Sequence, residues 1–130
     1  MNQKTVKISY YITTGLLTLL MLFSTSMYLF KHEVAQQAFT SLGFPVYIIY
    51  PLAIAKILGL IAIWTNLSPR LKEWAYAGFA FDTMLAVVAH LSVNDGQFAG
   101  ALVGLILILA SSVFYGLMEK EDSKKKVPVA

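Results

Sequence analysis

The sequence predicts an all-α protein, a four-helix transmembrane bundle with both termini in the cytoplasm. The chain of 130 residues is 58% hydrophobic and its mean hydropathy is +0.68. Charged residues make up 13% of the chain, well below the share of about 25% in soluble domains. Four mostly apolar stretches, each near the length of about 20 residues that crosses a bilayer, are separated by short polar segments.

The first predicted helix is the uncharged stretch of residues 8–30, which follows Lys4 and Lys7. A cleaved signal peptide is the alternative, because it also begins with positive charge and an apolar run, and residues 24–26 are small. The apolar region of a signal peptide is typically about 7–15 residues long. The greater length of this stretch favours a retained helix.

Polar and apolar residues mix in residues 34–42, which predicts a segment at the membrane interface. Gly43-Phe44-Pro45 predicts a turn, and the second helix follows over about residues 46–64. Pro51 lies within that helix and lacks an N–H group, so a kink is expected there.

The charged turn of residues 66–73 leads into the third predicted helix, over about residues 74–91. Trp74 and Tyr76 suit the aromatic belt at the membrane surface. The fourth helix follows over about residues 98–118.

The fourth helix carries Gly100-xxx-Gly104, a small-residue motif that suits helix association. The motif predicts either close packing inside the bundle or a homodimer. We expect residues 1–118 to form a single domain and residues 119–130 to form a charged, disordered cytoplasmic tail.

Basic residues are distributed unevenly between the two ends of the predicted bundle. Lysines and arginines in short loops stay in the cytoplasm. One end carries eight of them and the other end carries Lys31, which places both termini and the 66–73 turn in the cytoplasm. The eight are Lys4, Lys7, Arg70, Lys72, Lys120, Lys124, Lys125 and Lys126.

Two ionisable residues lie deep inside apolar stretches: Lys56 in the second helix and Asp82 in the third. A charge at the bilayer centre costs about 2.5–3.5 kcal/mol. At a rise of 1.5 Å per residue, both side chains lie about 14 Å from the 66–73 turn, at one level on antiparallel neighbours. The spacing predicts a buried ion pair, which either fixes helix packing or forms a site for a substrate, a quinone or a proton.

Small residues near this pair predict close packing of the second and third helices. They are Ala55 and Gly59 on the second helix, and Gly78, Ala86 and Ala89 on the third.

His90 lies about 12 Å beyond Asp82 along the third helix, toward the non-cytoplasmic face. Its ring suits proton relay or ligand binding, so Lys56, Asp82 and His90 form the candidate intramembrane polar site. With His32 near the same face, a bis-histidine haem is an alternative, although lone interfacial histidines are common. Two histidines and scattered carboxylates lack the ligand spacing of a metal site, and no metal is predicted.

Several function classes lack their residues in this sequence. The chain has no cysteine, which excludes disulfides, iron–sulfur clusters and thiolate zinc sites formed by this chain alone. No glycine-rich phosphate loop or nucleophile elbow is present. The net charge of +3 lies mostly in flanking segments, so the expected partners are a lipid bilayer and a membrane protein or second copy, not nucleic acid.

Several segments carry a resemblance to a known family: Leu42-Gly43-Phe44-Pro45, Lys56-Ile57-Leu58-Gly59, Arg70 to Gly78, Phe81-Asp82 and His90. Over about residues 8–118, the chain resembles the DoxX-like family of small four-helix integral membrane proteins. The resemblance implies a four-helix bundle in a bacterial cytoplasmic membrane, with distant relatives tied to quinone-linked thiosulfate oxidation and to membrane oxidoreductase complexes. No family motif carries over a catalytic residue, and the oxidoreductase label is an analogy.

Two functions are consistent with these observations. The first is a small membrane subunit or assembly factor of a larger complex, without catalytic activity of its own. The second is a quinone-interacting redox or proton-transfer component of a membrane oxidoreductase. No cofactor is predicted apart from a quinone in the second case.

Overall fold

The structure, a computed structural model, describes residues 2–126 and is built from helices joined by short turns. Four helical stretches are long and apolar enough to span a membrane, which confirms the predicted all-α class with four spans. The elements are α1 (Gln3–Phe30), α2 (His32–Leu42), a 3-10 turn (Val46–Ile48), α3 (Ile49–Thr65), α4 (Pro69–Val93) and α5 (Ala99–Lys126).

The four long helices form an antiparallel bundle. α1 packs against α5 and α3, and α4 packs against α3 and α5. The start of α1, the α3–α4 turn and the end of α5 share one end of the bundle, which we call the Asn66 end. The α4–α5 turn lies at the opposite end, the Asp95 end, where α2 packs across α1 and α4. The orientation of these ends in a membrane stays a prediction.

The main hydrophobic core fills the half of the bundle toward the Asn66 end. Helix α5 approaches its neighbours closely at Gly104, where an added Cβ would lie 3.0 Å from Leu20 Cδ2 and 3.3 Å from Thr83 Cγ2. Packing inside the bundle therefore explains this half of the Gly100-xxx-Gly104 motif, and homodimerisation stays a prediction. The core residues are Leu17, Met21, Leu60, Ile63, Tyr76, Phe79 and Ile108.

Two helices have boundaries that the apolar pattern did not reveal. α4 begins at Pro69, earlier than expected, because the Ser68 hydroxyl accepts a hydrogen bond from the Leu71 N–H at 3.4 Å and proline needs no partner at the first helical position. Residues 34–42 belong to α2, which buries Ala35 and Phe39 and ends at Gly43 with a φ of 85°.

The kink predicted at Pro51, inside the second helix, is replaced in the structure by a 3-10 turn just before α3. Pro51 lies in the first turn of α3, where backbone N–H groups lack intrahelical acceptors in any case. Its missing N–H therefore costs the helix nothing, and the irregular geometry falls in the preceding 3-10 turn, Val46–Ile48.

The expected disordered tail from residue 119 is helical through Lys126 in the structure. Glu121 and Lys124 lie 3.9 Å apart on this segment, and cationic side chains near a helix C-terminus interact favourably with its dipole. Residues 127–130 of the predicted tail lie outside the described residues.

Candidate functional site

The bundle brings Lys56 of α3 and Asp82 of α4 together at the level that their spacing predicted. Lys56 Nζ lies 3.7 Å from Asp82 Oδ2. Lys56 is 5% exposed, whereas the side chain of Asp82 is 27% exposed. The pair is therefore a buried cation next to a carboxylate that retains open space around it.

The closest contacts of Lys56 are with α1. Its ammonium group donates hydrogen bonds to Ser24 Oγ at 2.7 Å and to the Tyr28 hydroxyl at 3.2 Å, and it lies 4.4 Å from the centre of the Tyr28 ring. Sequence analysis did not identify Ser24 or Tyr28 as part of the site. Their spacing of one helical turn, which puts two hydroxyls on one face of α1, is the signal that could have found them.

The Asp82 carboxylate is incompletely paired. Its distance of 3.7 Å from Lys56 Nζ is too long for a hydrogen bond. Within the described part of the chain, no donor forms a hydrogen bond with its oxygens. An ionised carboxylate has about four acceptor positions, so Asp82 can accept hydrogen bonds from a ligand or from water.

Asp82 lines two cavities. The groove cavity, about 380 Å³, lies between α3 and α4 toward the Asn66 end. The Asp95-side cavity, about 210 Å³, continues from Asp82 to His90 beneath α2. Both are largely apolar, with Lys56 in the first, Tyr28 and His90 in the second, and Asp82 in both.

The small residues of α3 and α4 pack closely at one point and leave a groove at others. A Cβ on Gly59 would lie 2.7 Å from Phe79 Cζ, whereas a Cβ on Gly78 would meet no atom within 4 Å. Ala55 and Gly78 line the groove cavity. The two helices therefore pack closely at Gly59, as the small residues predicted, and leave open space at Gly78.

His90 lines the same cavity as Asp82 but has a charged partner of its own. Its Nδ1 lies 2.8 Å from Asp95 Oδ2. Because a carboxylate only accepts hydrogen bonds, Nδ1 carries the hydrogen and Nε2 of a neutral ring is an acceptor. The Asp95 carboxylate also accepts the Gln97 backbone N–H at 2.9 Å, and these two hydrogen bonds, with that of Gln97 the larger cause, hold the pKa of Asp95 below its ordinary value.

His32 lies at the same end in a different environment. Its ring stacks on Tyr50 with a centroid distance of 4.5 Å, and its Nδ1 lies 3.2 Å from the Tyr28 carbonyl oxygen, to which it donates. Over residues 2–126, the structure contains no group of three or more histidines and carboxylates arranged to hold a metal ion.

Lys72 is a second buried lysine, which sequence analysis counted as a charge of the cytoplasmic turn. It is 1% exposed and donates to the Tyr10 hydroxyl and to Asn66 Oδ1, each at 2.7 Å. The ammonium lies 3.8 Å from the centre of the Tyr115 ring. The early start of α4 at Pro69 places Lys72 in the first turn of this helix, where its side chain reaches Tyr10 of α1 and Tyr115 of α5. These contacts explain its burial.

Lys72 closes the Asn66 end of the bundle by joining the α3–α4 turn to α1. Asn66 adopts a left-handed conformation with a φ of 53°, and its side-chain oxygen is held by Lys72. Nearby, the Tyr76 hydroxyl lies 2.7 Å from Ser111 Oγ, which lies 2.6 Å from Thr14 Oγ1. Tyr76 is thus a core residue, and its assignment to the aromatic belt is wrong, whereas Trp74 is exposed.

Four apolar spans around a polar centre define the molecule as a small multi-pass membrane protein. Residues 12–119 match the profile of the DoxX-like family, and the chain belongs to that family. Comparison with curated proteins and with solved structures found no match.

Proposed function

We propose that this protein is a small membrane subunit that holds a lipid-soluble ligand beside Asp82 and catalyses no reaction of its own. The ligand class that best suits the site is a quinol, with its ring next to Asp82 and its apolar tail in the groove cavity. The redox component of an oxidoreductase is the competing function, and the experiment below separates the two.

The observation that supports this proposal most is the unpaired acceptor capacity of Asp82. Its carboxylate borders both cavities and lies 3.7 Å from Lys56, whose hydrogen bonds go to Ser24 and Tyr28 instead. Binding sites for small molecules are usually apolar cavities with a few polar groups that fix orientation. Asp82 fits that role because it can accept a hydrogen bond without breaking one.

The chemistry of the carboxylate favours a ligand with a hydroxyl group. A quinol hydroxyl would donate to Asp82, whereas the carbonyl of an oxidised quinone would face the carboxylate without a donor. The groove cavity is lined by apolar residues from Leu52 to Phe79, which suits a hydrocarbon tail. A site with this polarity would therefore bind a quinol more tightly than the corresponding quinone.

We further propose that the protein lies in a bacterial cytoplasmic membrane with its Asn66 end in the cytoplasm. Lys72 is buried, so one residue fewer contributes to the excess of lysines and arginines at the Asn66 end. The remaining excess still favours this orientation. Reporter fusions after Lys72 and after Lys126 should both be cytoplasmic, and a fusion after Asp95 should be external. The reverse pattern would overturn the orientation.

Binding can be followed through Trp74, which lines the groove cavity. In a Trp64→Phe background, Trp74 is the single tryptophan reporter. Titration of decylubiquinol into nanodiscs should change its emission saturably. Asp82→Asn should weaken binding about fivefold to tenfold, because it replaces a hydrogen bond to a charged acceptor, about 1.5–3 kcal/mol, with one to a neutral amide oxygen, about 0.5–1.5 kcal/mol.

Two matched variants control this experiment. Asp122→Asn makes the same chemical change at an exposed position of α5 and should leave binding unchanged. Trp74→Phe leaves Trp64, whose indole N–H donates to Thr18 Oγ1 at 2.8 Å outside the groove cavity, so its emission should not respond.

Three results would contradict the proposal. Emission that changes without saturation would indicate partition into lipid alone. Equal affinity in wild type and Asp82→Asn would move any ligand away from Asp82. Oxidation of quinol by the isolated protein, lost in Asp82→Asn while the fold survives, would replace the subunit with the redox component.

A further inference from the structure

The two halves of the bundle differ in how they connect Asp82 to solution. Toward the Asn66 end, the buried residues Met21, Leu60 and Phe79 form a packed apolar core. The groove cavity also runs from Asp82 toward this end, but apart from Asp82 and Lys56 its lining carries no titratable side chain. Phe79 lies against Gly59, with no space for a Cβ between them. The backbone of Tyr76 lies about 9 Å from the level of Asp82 by helical rise, and the Tyr76 hydroxyl lies 2.7 Å from Ser111 Oγ.

Toward the Asp95 end, space and polar groups continue from Asp82 to the surface. Asp82 and His90 line one cavity of about 210 Å³ together with Tyr28, which is room for several water molecules at about 30 Å³ each. His90 in turn contacts the exposed Asp95 carboxylate at 2.8 Å. Titratable groups therefore mark both ends of this cavity.

We propose that Asp82 exchanges protons with the solution at the Asp95 end, through water in this cavity and through His90, and not with the solution at the Asn66 end. This route needs no quinol and is independent of the ligand proposed above. It would make the polar centre of the bundle responsive to the pH on one side of the membrane.

The histidine geometry permits the transfer in balanced steps. Nδ1 donates to Asp95, so Nε2 is free to accept a proton that protonated Asp82 releases through cavity water. The imidazolium then gives its Nδ1 proton to Asp95 and solution, and a change of tautomer restores the starting ring. Transfer in the opposite direction uses the same steps in reverse.

Other charged groups near the route are few within residues 2–126. Asp82 faces Lys56 from α3 at 3.7 Å and Tyr28 from α1. Helix α2 lines the cavity with Ala38, Phe39 and Leu42, while its Glu33 is exposed together with Lys31. The titratable residues of α5 begin at Tyr115, toward the Asn66 end.

Infrared spectroscopy of the protein in nanodiscs tests the route directly. The band of protonated Asp82, identified by its loss in Asp82→Asn, should shift rapidly on transfer to D₂O. His90→Phe should slow that exchange at least tenfold. His32→Phe is the matched control, because His32 lies at the same end but stacks on Tyr50. The Asp82 proton should exchange in this variant at the rate of wild type. Equal exchange in wild type and His90→Phe would overturn the route, and so would absence of a protonated Asp82 band at every pH tested.

Single cysteines test which side the cavity opens to, since the chain has no cysteine of its own. Ala86 lines the cavity, while Ala80 packs on the core toward the Asn66 end; both are half-buried on α4. In sealed vesicles, a small charged thiol reagent should label Ala86→Cys from the side that labels Asp95→Cys. Ala80→Cys should resist it from both sides. Labelling of Ala86→Cys from the side that labels Arg70→Cys, or from neither side, would contradict the proposal.

Discussion

Lys56 and Lys72 are both buried lysines, yet their surroundings differ in a way that separates a candidate site from a structural contact. Lys72 donates to the neutral oxygens of Tyr10 and Asn66, and in the described part of the chain no carboxylate lies within 4.0 Å of it. Lys56 also donates to neutral hydroxyls, but Asp82 lies beside it at 3.7 Å.

Burial of a charge therefore does not by itself identify a functional site. The contacts of Lys72 with Tyr10 and Asn66 are short, at 2.7 Å each, and close the Asn66 end. The contacts of Lys56 hold the cation against α1 and leave the carboxylate of Asp82 partly free between two cavities. In the proposed site, the group that would accept a ligand is thus Asp82, the partner of the buried lysine.

Lys56→Met should produce the largest loss of stability among single lysine substitutions. It leaves the Asp82 carboxylate without a cation, and breaking a buried pair costs about 3–5 kcal/mol. We expect a loss of about 3 kcal/mol, because Asp82 is partly exposed. The loss is measured as the change in the free energy of unfolding in a mixed-detergent titration. Lys7→Met, at an exposed position of α1, is the control and should leave this free energy unchanged.

Lys72→Met should cost less, about 1–2 kcal/mol, because it leaves neutral groups unsatisfied and not a charge. The Tyr10 hydroxyl would lose its donor inside the bundle, and the Tyr115 ring would lose a cation 3.8 Å from its centre. The same titration compares the two lysines. A loss equal to or larger than that of Lys56→Met would break the proposed distinction between them.

Coupling between Lys56 and Asp82 should be smaller again, about 1 kcal/mol in a double-mutant cycle. Asp82→Asn alone should destabilise the bundle by leaving Lys56 without its carboxylate, and Lys56→Met/Asp82→Asn should recover part of the combined loss. Strictly additive losses would show that the two side chains, although 3.7 Å apart, do not interact.

Substitution of the exposed Asp95 carboxylate should have the smallest effect on stability, and it serves as a reference for the buried pair. Its folded-state pKa lies below the ordinary value, so its contribution to stability is complete above the unfolded-state pKa of about 3.9 and is lost as pH falls through the lower folded pKa. Asp95→Asn should slightly reduce the acid-induced fall in melting temperature. An identical pH dependence in wild type and variant would contradict this assignment.

The sequence was sufficient to predict the four spans and the meeting of Lys56 with Asp82. Long apolar runs and a rise of 1.5 Å per residue determine both, because helices joined by a short turn must run antiparallel. The rotation of each helix about its own axis could not be predicted from the sequence in the same way. The positions of Lys72, Tyr76 and Ser24 depend on that rotation, which is decided by contacts among α1, α4 and α5.

The cavities were beyond sequence analysis for a related reason. Ala55, Gly59 and Gly78 all predict close approach of two helices, but only the assembled bundle shows that Phe79 fills the space at Gly59 and that no side chain fills it at Gly78. Small residues permit either contact or a groove. Which of the two forms depends on the side chains opposite them.

The shift in melting temperature produced by decylubiquinol tests most directly whether Asp82 belongs to a ligand site while Lys72 is structural. A ligand that binds the folded state raises the melting temperature according to its concentration and affinity. We predict that Lys72→Met melts at a lower temperature than wild type but shows the same shift, and that Asp82→Asn shows a much smaller shift. An undiminished shift in Asp82→Asn, or loss of the shift in Lys72→Met at a temperature where it remains folded, would contradict this assignment.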